Sequence, residues 1–209
     1  KAGRYQEAAS AYQAAATLRP DAPQVQMNLG IVHQELGNLP EARKAYEKAV
    51  SLDGSLTAAK WNLALVLEQA GDPEAAEELY ARLLEANPDW QEARFRYGYL
   101  RLQRGDFRGS IEAFERCLAA KTDWVEARLN IGIAYWKVGD HDSARRSFEE
   151  VVHAQPDSLD ALRGLAALAL ESDDARSALD YHRRLIALGE HTPELFYNTG
   201  LLLQKSGVL

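Results

Sequence analysis

Cysteine is nearly absent from the chain. The single residue Cys117 excludes an internal disulfide and any cluster of metal-bound thiolates, and it leaves the redox compartment open. Proline is sparse, at 7 residues in 209. With 46% hydrophobic and 26% charged residues, the composition is that of a folded chain, not a disordered one. Excess positive charge is missing: 24 basic residues face 31 acidic ones, a formal net charge of −7. That is the wrong sign for general binding to a phosphate backbone, so nucleic acid is not an expected partner. Long apolar runs are missing too. A membrane helix needs about 18 apolar residues, and GLAALALES (164–172) falls well short, so membrane insertion is not expected. The opening KAGRYQEAAS has neither an initiator Met nor a signal-peptide core and begins inside the pattern described next. The chain therefore reads as an excerpt of something longer and soluble, with the cytoplasm favoured.

What the sequence does have is a period. Gly3, Gly37, Gly71, Gly105, Gly139 and Gly207 stand in steps of 34, interrupted only by Asp173. Tyr12, Tyr46, Tyr80, Phe114, Phe148 and His182 form a second register, and Ala8, Ala42, Ala76, Ser110, Ala144 and Ala178 a third. A fourth holds Gly30, Ala64, Gly98, Gly132, Ala166 and Gly200. A weaker fifth keeps Pro20, Pro88 and Pro156, alternating with Gly54, Thr122 and Glu190. Chance could supply one register; five sharing a period mark an internal repeat.

Each register has a mechanical reading. Gly after an apolar helix ends it in a left-handed residue at little cost. The following Asn38, Asp72, Asp106 and Asp140 can cap the next helix, and Asn38 with Glu41 forms a capping box. Small residues let two helices approach, and the aromatic fills the space between hairpins. Pro stops the second helix. Asp21, Asp89, Asp123 and Asp157, with Gln24, Glu92, Glu126 and Asp160 three residues on, are expected to cap the next unit.

Every unit is thus helix–turn–helix, and NLGIVHQELGNLPEARKAYEKAVSLD (28–53) resembles the tetratricopeptide repeat. That family's 34-residue unit carries a Leu-Gly in its first helix, an Ala and an aromatic in its second, and a closing Pro. The resemblance runs over all 209 residues and implies an all-α, right-handed α-solenoid without strands. It divides the chain into a second helix alone (about 5–18, within 1–22), five full repeats (23–56, 57–90, 91–124, 125–158 and 159–192) and a lone first helix (about 193–206, within 193–209). Asp173 and His182 depart from the pattern, so the unit carrying them is expected to be looser or differently angled. Both ends lie inside a hairpin. In the last helix Leu195, Leu202 and Leu203 are expected to be exposed and to favour self-association through the open repeat ends.

The resemblance implies a binding scaffold whose first helices line a concave groove. Asn28, Asn62, Arg96, Asn130, Gly164 and Asn198 share one register there. Asn is a poor helix-interior residue, and four in one register ask for a reason. Packed helices place such rungs on the order of 10 Å apart, about every third residue of an extended strand, and an amide can donate to and accept from a peptide backbone. The competing reading is a bond to the neighbouring helix. Trp61 and Phe95 stand beside the rungs, a register that Tyr197 rejoins, and Tyr99 and Trp136 share the helical face. Trp61, Phe95, Tyr99 and Trp136 are candidate side-chain anchors, with packing between first helices as the alternative. Trp90 and Trp124 sit at unit junctions as staples. Arg94, Arg96, Arg101, Arg104 and Arg108 concentrate positive charge. Arg96 can hold a carboxylate, or the set can pair with Glu92 and Glu112. Chaperone-binding members of the family need a Lys where this chain has Glu92, which argues against that ligand.

No catalytic constellation emerges. His33, His141, His153, His182 and His191 fall in unrelated registers without metal-ligand spacing, and Cys117 occupies a small-residue slot suited to an inert, buried thiol. Neither a phosphate loop nor a Gly-x-Ser-x-Gly turn is present, so no cofactor and no enzymatic activity are expected. Two function classes remain. The first is a noncatalytic scaffold for a protein or peptide ligand; the second is the substrate-recruiting arm of a larger enzyme, as in protein O-linked N-acetylglucosamine transferases.

Overall fold

The computed structural model describes residues 2–205; Gly207 of the glycine register lies outside them. Among the described residues there are twelve α-helices and no strand: α1 (Ala2–Leu18), α2 (Pro23–Glu35), α3 (Leu39–Leu52), α4 (Thr57–Gln69), α5 (Pro73–Ala86), α6 (Gln91–Gln103), α7 (Phe107–Ala120), α8 (Val125–Lys137), α9 (His141–Ala154), α10 (Leu159–Glu171), α11 (Ala175–Ala187) and α12 (Pro193–Lys205). The chain is all-α, of the α-solenoid class, and successive helices pack on one another from α1 to α5 and from α7 to α12. Contacts divide it into two compact units, Lys1–Leu100 and Arg101–Leu209, described separately below. Helix α1 begins ahead of the expected residue 5, so Gly3 is helical instead of ending a helix.

Two kinds of turn alternate. Inside each hairpin Gly37, Gly71, Gly105 and Gly139 take φ between 76° and 87°, the region glycine enters most cheaply. Asp173 takes the same position with φ 58°, and Asp174 N bonds back to Ala169 O at 2.8 Å as Asp140 N does to Tyr135 O at 2.9 Å. The hairpin with the irregular residue therefore keeps the regular turn. After the turn, Asp72, Asp106 and Asp140 accept from the third helical N–H of α5, α7 and α9, and Asp174 does the same for α11. Asn38 makes no side-chain cap, so the capping box with Glu41 does not form. Pro40 there removes one of the two N–H groups a cap accepts from.

Between hairpins the chain makes a second turn, closed by N–H to carbonyl bonds from Ala22 to Arg19, Leu56 to Asp53, Trp90 to Asn87, Trp124 to Lys121 and Ser158 to Gln155. Pro20, Pro88 and Pro156 occupy the second place of this turn, where a fixed φ suits them. Asp21, Asp89, Asp123 and Asp157 take the third place. They stand one residue too early to cap, since the N-cap positions of α2, α8 and α10 are Ala22, Trp124 and Ser158, none with a side-chain bond.

The register aromatics are the core. Tyr46 and Tyr80 in the first unit, and Phe114 and Phe148 in the second, are almost fully buried. Glycine lets a helix pass close to the ring: a Cβ on Gly30 would lie 2.6 Å from Tyr46, and one on Gly132 2.8 Å from Phe148. Cys117 is buried. In α12 the expectation reverses. Leu195 and Leu202 point inward, each 7% exposed, and Leu203 packs beside them. The exposed apolar side chains are Phe196, Tyr197 and Leu201, because docking on α10 and α11 chose the stripe spaced by seven residues.

Candidate functional site

In the first unit, α2, α4 and α6 carry Asn28, Asn62 and Arg96 at equal steps. None of the three is a free solvent-facing rung. Asn28 and Asn62 are half-buried, and the nearby core ring Tyr46 donates its hydroxyl to Gln34 Oε1 at 2.9 Å. Burial pushes the Tyr46 hydroxyl pKa up. One repeat on, Tyr80 donates to Glu68 Oε2 at 2.6 Å, and Arg96 Nη1 reaches Glu68 Oε1 at 3.2 Å. Burial first, and Glu68 second, raise the Tyr80 pKa. The Glu68 side chain is 14% exposed against 44% for Arg96. The carboxylate is thus set into the surface while the guanidinium stays open to solvent.

The aromatics beside these rungs are engaged as well. Trp61 stacks on Trp90 at 4.8 Å and meets Tyr80 edge-on at 5.5 Å, joining the core of the first unit. Phe95 and Tyr99 are half-buried on α6. Trp90 packs on the same core.

In the second unit Asn130 and Asn198 are half-buried. Asn130 Nδ2 donates to Glu126 O at 2.8 Å, inside its own helix. Gly164, the same register on α10, is a packing position: a Cβ there would meet Phe148 at 2.6 Å. Trp136 is half-buried, and its indole N–H donates to the Glu171 carboxylate at 3.0 Å.

The arginine set divides by partner. Arg101 pairs with Asp106 at 2.8 Å, and Arg104 lies 3.7 Å from it. Glu68 and Asp106 are partners that the expectation of Glu92 and Glu112 did not include. Arg94 is buried and donates to Pro88 O. Arg128, 34 residues on, donates to Thr122 O at 2.7 Å. Both clamp the turn between hairpins from six residues away, and that shared offset was readable in the sequence. Among the described residues no group of three His, Cys, Asp or Glu is placed to hold a metal, and no helix is long and apolar enough to cross a membrane.

Alternating Gly-φ and Pro-turn junctions around buried register aromatics define a helix–turn–helix repeat protein. The family model for the tetratricopeptide repeat matches residues 1–56, 58–123 and 129–203, so the chain belongs to the tetratricopeptide-repeat family. Among solved structures it is similar to a tetratricopeptide repeat protein from Parabacteroides merdae ATCC 43184, with 25% identity and TM-score 0.75 over 98% of this chain and 81% of that one. It also resembles YrrB, described as a TPR protein with an unusual peptide-binding site, with 19% identity and TM-score 0.76 over 97% and 100%. MamA from Desulfovibrio magneticus RS-1 shows 17% identity and TM-score 0.76 over 79% and 94%. Comparison with curated proteins finds no match.

Proposed function

We propose that this chain is a noncatalytic protein–protein interaction scaffold that holds an extended segment of its partner on its first helices. In the first unit that face is Asn28, Asn62 and Arg96 with Trp61, Phe95 and Tyr99. In the second it is Asn130 and Asn198 with Trp136. The observation that carries the reading is Arg96, an exposed guanidinium fixed by an inset carboxylate, one repeat on from the half-buried amide Asn62. Charge-assisted bonds are stronger than neutral ones, so Arg96 selects a partner carboxylate, and the amide favours backbone over side chain. The peptide binding described for YrrB is consistent with this use of the fold. The enzyme-arm reading has no observation of its own and is not carried forward.

The test is titration of a peptide array against Arg96→Ala, Asn62→Ala and Asn130→Ala, with thermal melts alongside. Each amide lost should weaken binding by about 0.5–1.5 kcal/mol, and Arg96→Ala should cost more and remove the preference for acidic peptides. Arg96→Ala should leave the melting temperature nearly unchanged, because an exposed ion pair contributes little to stability. Affinity that survives all three substitutions would show these residues to be structural.

A further inference from the structure

Three side chains of the first unit form a line of bonds that starts in the core and ends at the surface. Tyr80 on α5 is fully buried in one cluster with Leu63, Leu67 and Leu83, and Trp61 meets its ring edge-on at 5.5 Å. A ring held on all sides fixes its hydroxyl as well. That hydroxyl donates to Glu68 Oε2 on α4 at 2.6 Å, and the other oxygen of the carboxylate accepts from Arg96 Nη1 on α6 at 3.2 Å. Exposure rises along the line from ring to carboxylate to guanidinium.

The repeats on either side show that packing does not demand this line. One period earlier Tyr46 donates to Gln34, an uncharged acceptor, at 2.9 Å, and the register of Arg96 holds Asn62. One period later the ring is Phe114, with Leu102 in the place of Glu68 and Asn130 in that of Arg96. Asn130 bonds within its own helix, to Glu126 O at 2.8 Å. Only the repeat of Tyr80 joins a ring hydroxyl, a carboxylate and a guanidinium in these registers. As an ion pair near the surface, Glu68 with Arg96 adds little stability, so what the carboxylate supplies is orientation.

We infer that Tyr80 is a positioning residue for Arg96, acting through Glu68, and that the aligned guanidinium takes a partner carboxylate side-on, on its Nε and Nη2 edge. The inference rests on the reading of this face as the partner's binding surface. With Nη1 on Glu68, no other bond to Arg96 is present among the described residues. The Nε and Nη2 donors lie side by side on one edge of the planar fork, which suits the two oxygens of a carboxylate. Without the Tyr80 hydroxyl the carboxylate loses its anchor in the core and the guanidinium its fixed direction. Ordering the arginine then falls to the ligand, and affinity drops accordingly.

The experiment has two readouts on the whole chain. One is the ¹H–¹⁵N heteronuclear NOE of the Arg96 Nε–H group without ligand. The other is the affinity for the acetylated peptide Gly-Ala-Asp-Ala-Gly amide against its Asn counterpart. Tyr80→Phe carries the ring type of Phe114 and Phe148, so it should fold. It should lower the Arg96 NOE and cut the preference for the Asp peptide roughly two- to tenfold, the worth of one hydrogen bond. Tyr46→Phe, which removes the neighbouring hydroxyl, should change neither readout. Arg96→Lys keeps the charge without the edge and should lose the preference as fully as Arg96→Ala. An Arg96 NOE unmoved by Tyr80→Phe, or lowered equally by Tyr46→Phe, would overturn the positioning role. A preference kept in Arg96→Lys but lost in Arg96→Ala would overturn the side-on edge. A preference kept in Arg96→Ala would overturn the reading of the face, and the carboxylate with it, while a fall of the NOE in Tyr80→Phe would still establish that Tyr80 positions Arg96.

Discussion

Phe148→Ala is expected to destabilise the second unit by about 3–5 kcal/mol, the range for removing a fully buried aromatic. The ring is 1% exposed and lies between two helices at positions where neither carries a Cβ. A methyl on Gly132 would come within 2.8 Å of one ring edge, and one on Gly164 within 2.6 Å of the other. Neither glycine has an unusual φ, so what they supply is space. Gly164→Ala should therefore also destabilise, by about 1–3 kcal/mol, through overpacking. Combining it with Phe148→Leu should recover part of the loss, because the two side chains share one volume. Urea unfolding followed by circular dichroism reads these variants and Phe148→Leu alone. A Phe148→Ala loss below about 1 kcal/mol would mean that the ring is not a keystone of this packing. So would additivity of the Gly164→Ala and Phe148→Leu effects.

The period revealed the helices because each register answers a backbone or packing demand repeated in every unit. Left-handed glycine, turn proline, small contact residue and buried ring all recur for that reason. It was less informative where one residue type suits two neighbouring positions. Asp21, Asp89, Asp123 and Asp157 suit the third place of a turn as well as an N-cap, and only the backbone bonds ending at Ala22, Trp90, Trp124 and Ser158 distinguish the two. In α12 two apolar stripes compete, and spacing alone does not say which one docks.

The candidate face was legible as a register and illegible as a set of bonds. Arg96 and Glu68 join different hairpins, and such a pair depends on side-chain reach across a helix interface. One such dependence can be read from sequence in retrospect. Where the ring carries a hydroxyl, as in Tyr46 and Tyr80, the residue twelve positions earlier is an acceptor, Gln34 or Glu68. Where it is Phe114 or Phe148, that residue is Leu102 or Trp136. A buried hydroxyl needs a partner and a phenyl ring does not.

His182 takes the ring position in the last hairpin, and folding stability should fall as the pH drops below about 6.5, the ordinary histidine value. The imidazole is 3% exposed, and its Nδ1 lies 3.1 Å from Thr199 Oγ1. That hydroxyl already donates to Leu195 O at 2.6 Å, so it accepts from His182, which keeps its proton on Nδ1. Protonation would add a second proton and a buried charge. Burial lowers the His182 pKa, partly offset by Glu190. A native pKa below the unfolded one means that the unfolded chain binds more protons in between. Stability is then complete above the unfolded value and is lost as pH falls through it toward the native one, by at most about 1.4 kcal/mol per pH unit. The helix-capping Asp140 and Asp174 are lowered by hydrogen bonds with Ser143 and Ser177. Their stabilisation is lost only below about pH 4, outside the histidine window. His182→Phe, which restores the ring type of Phe114 and Phe148, should flatten the dependence of melting temperature on pH between about 7 and 5. Overlapping pH profiles for His182→Phe and the parent chain would show that the imidazole is not the group responsible.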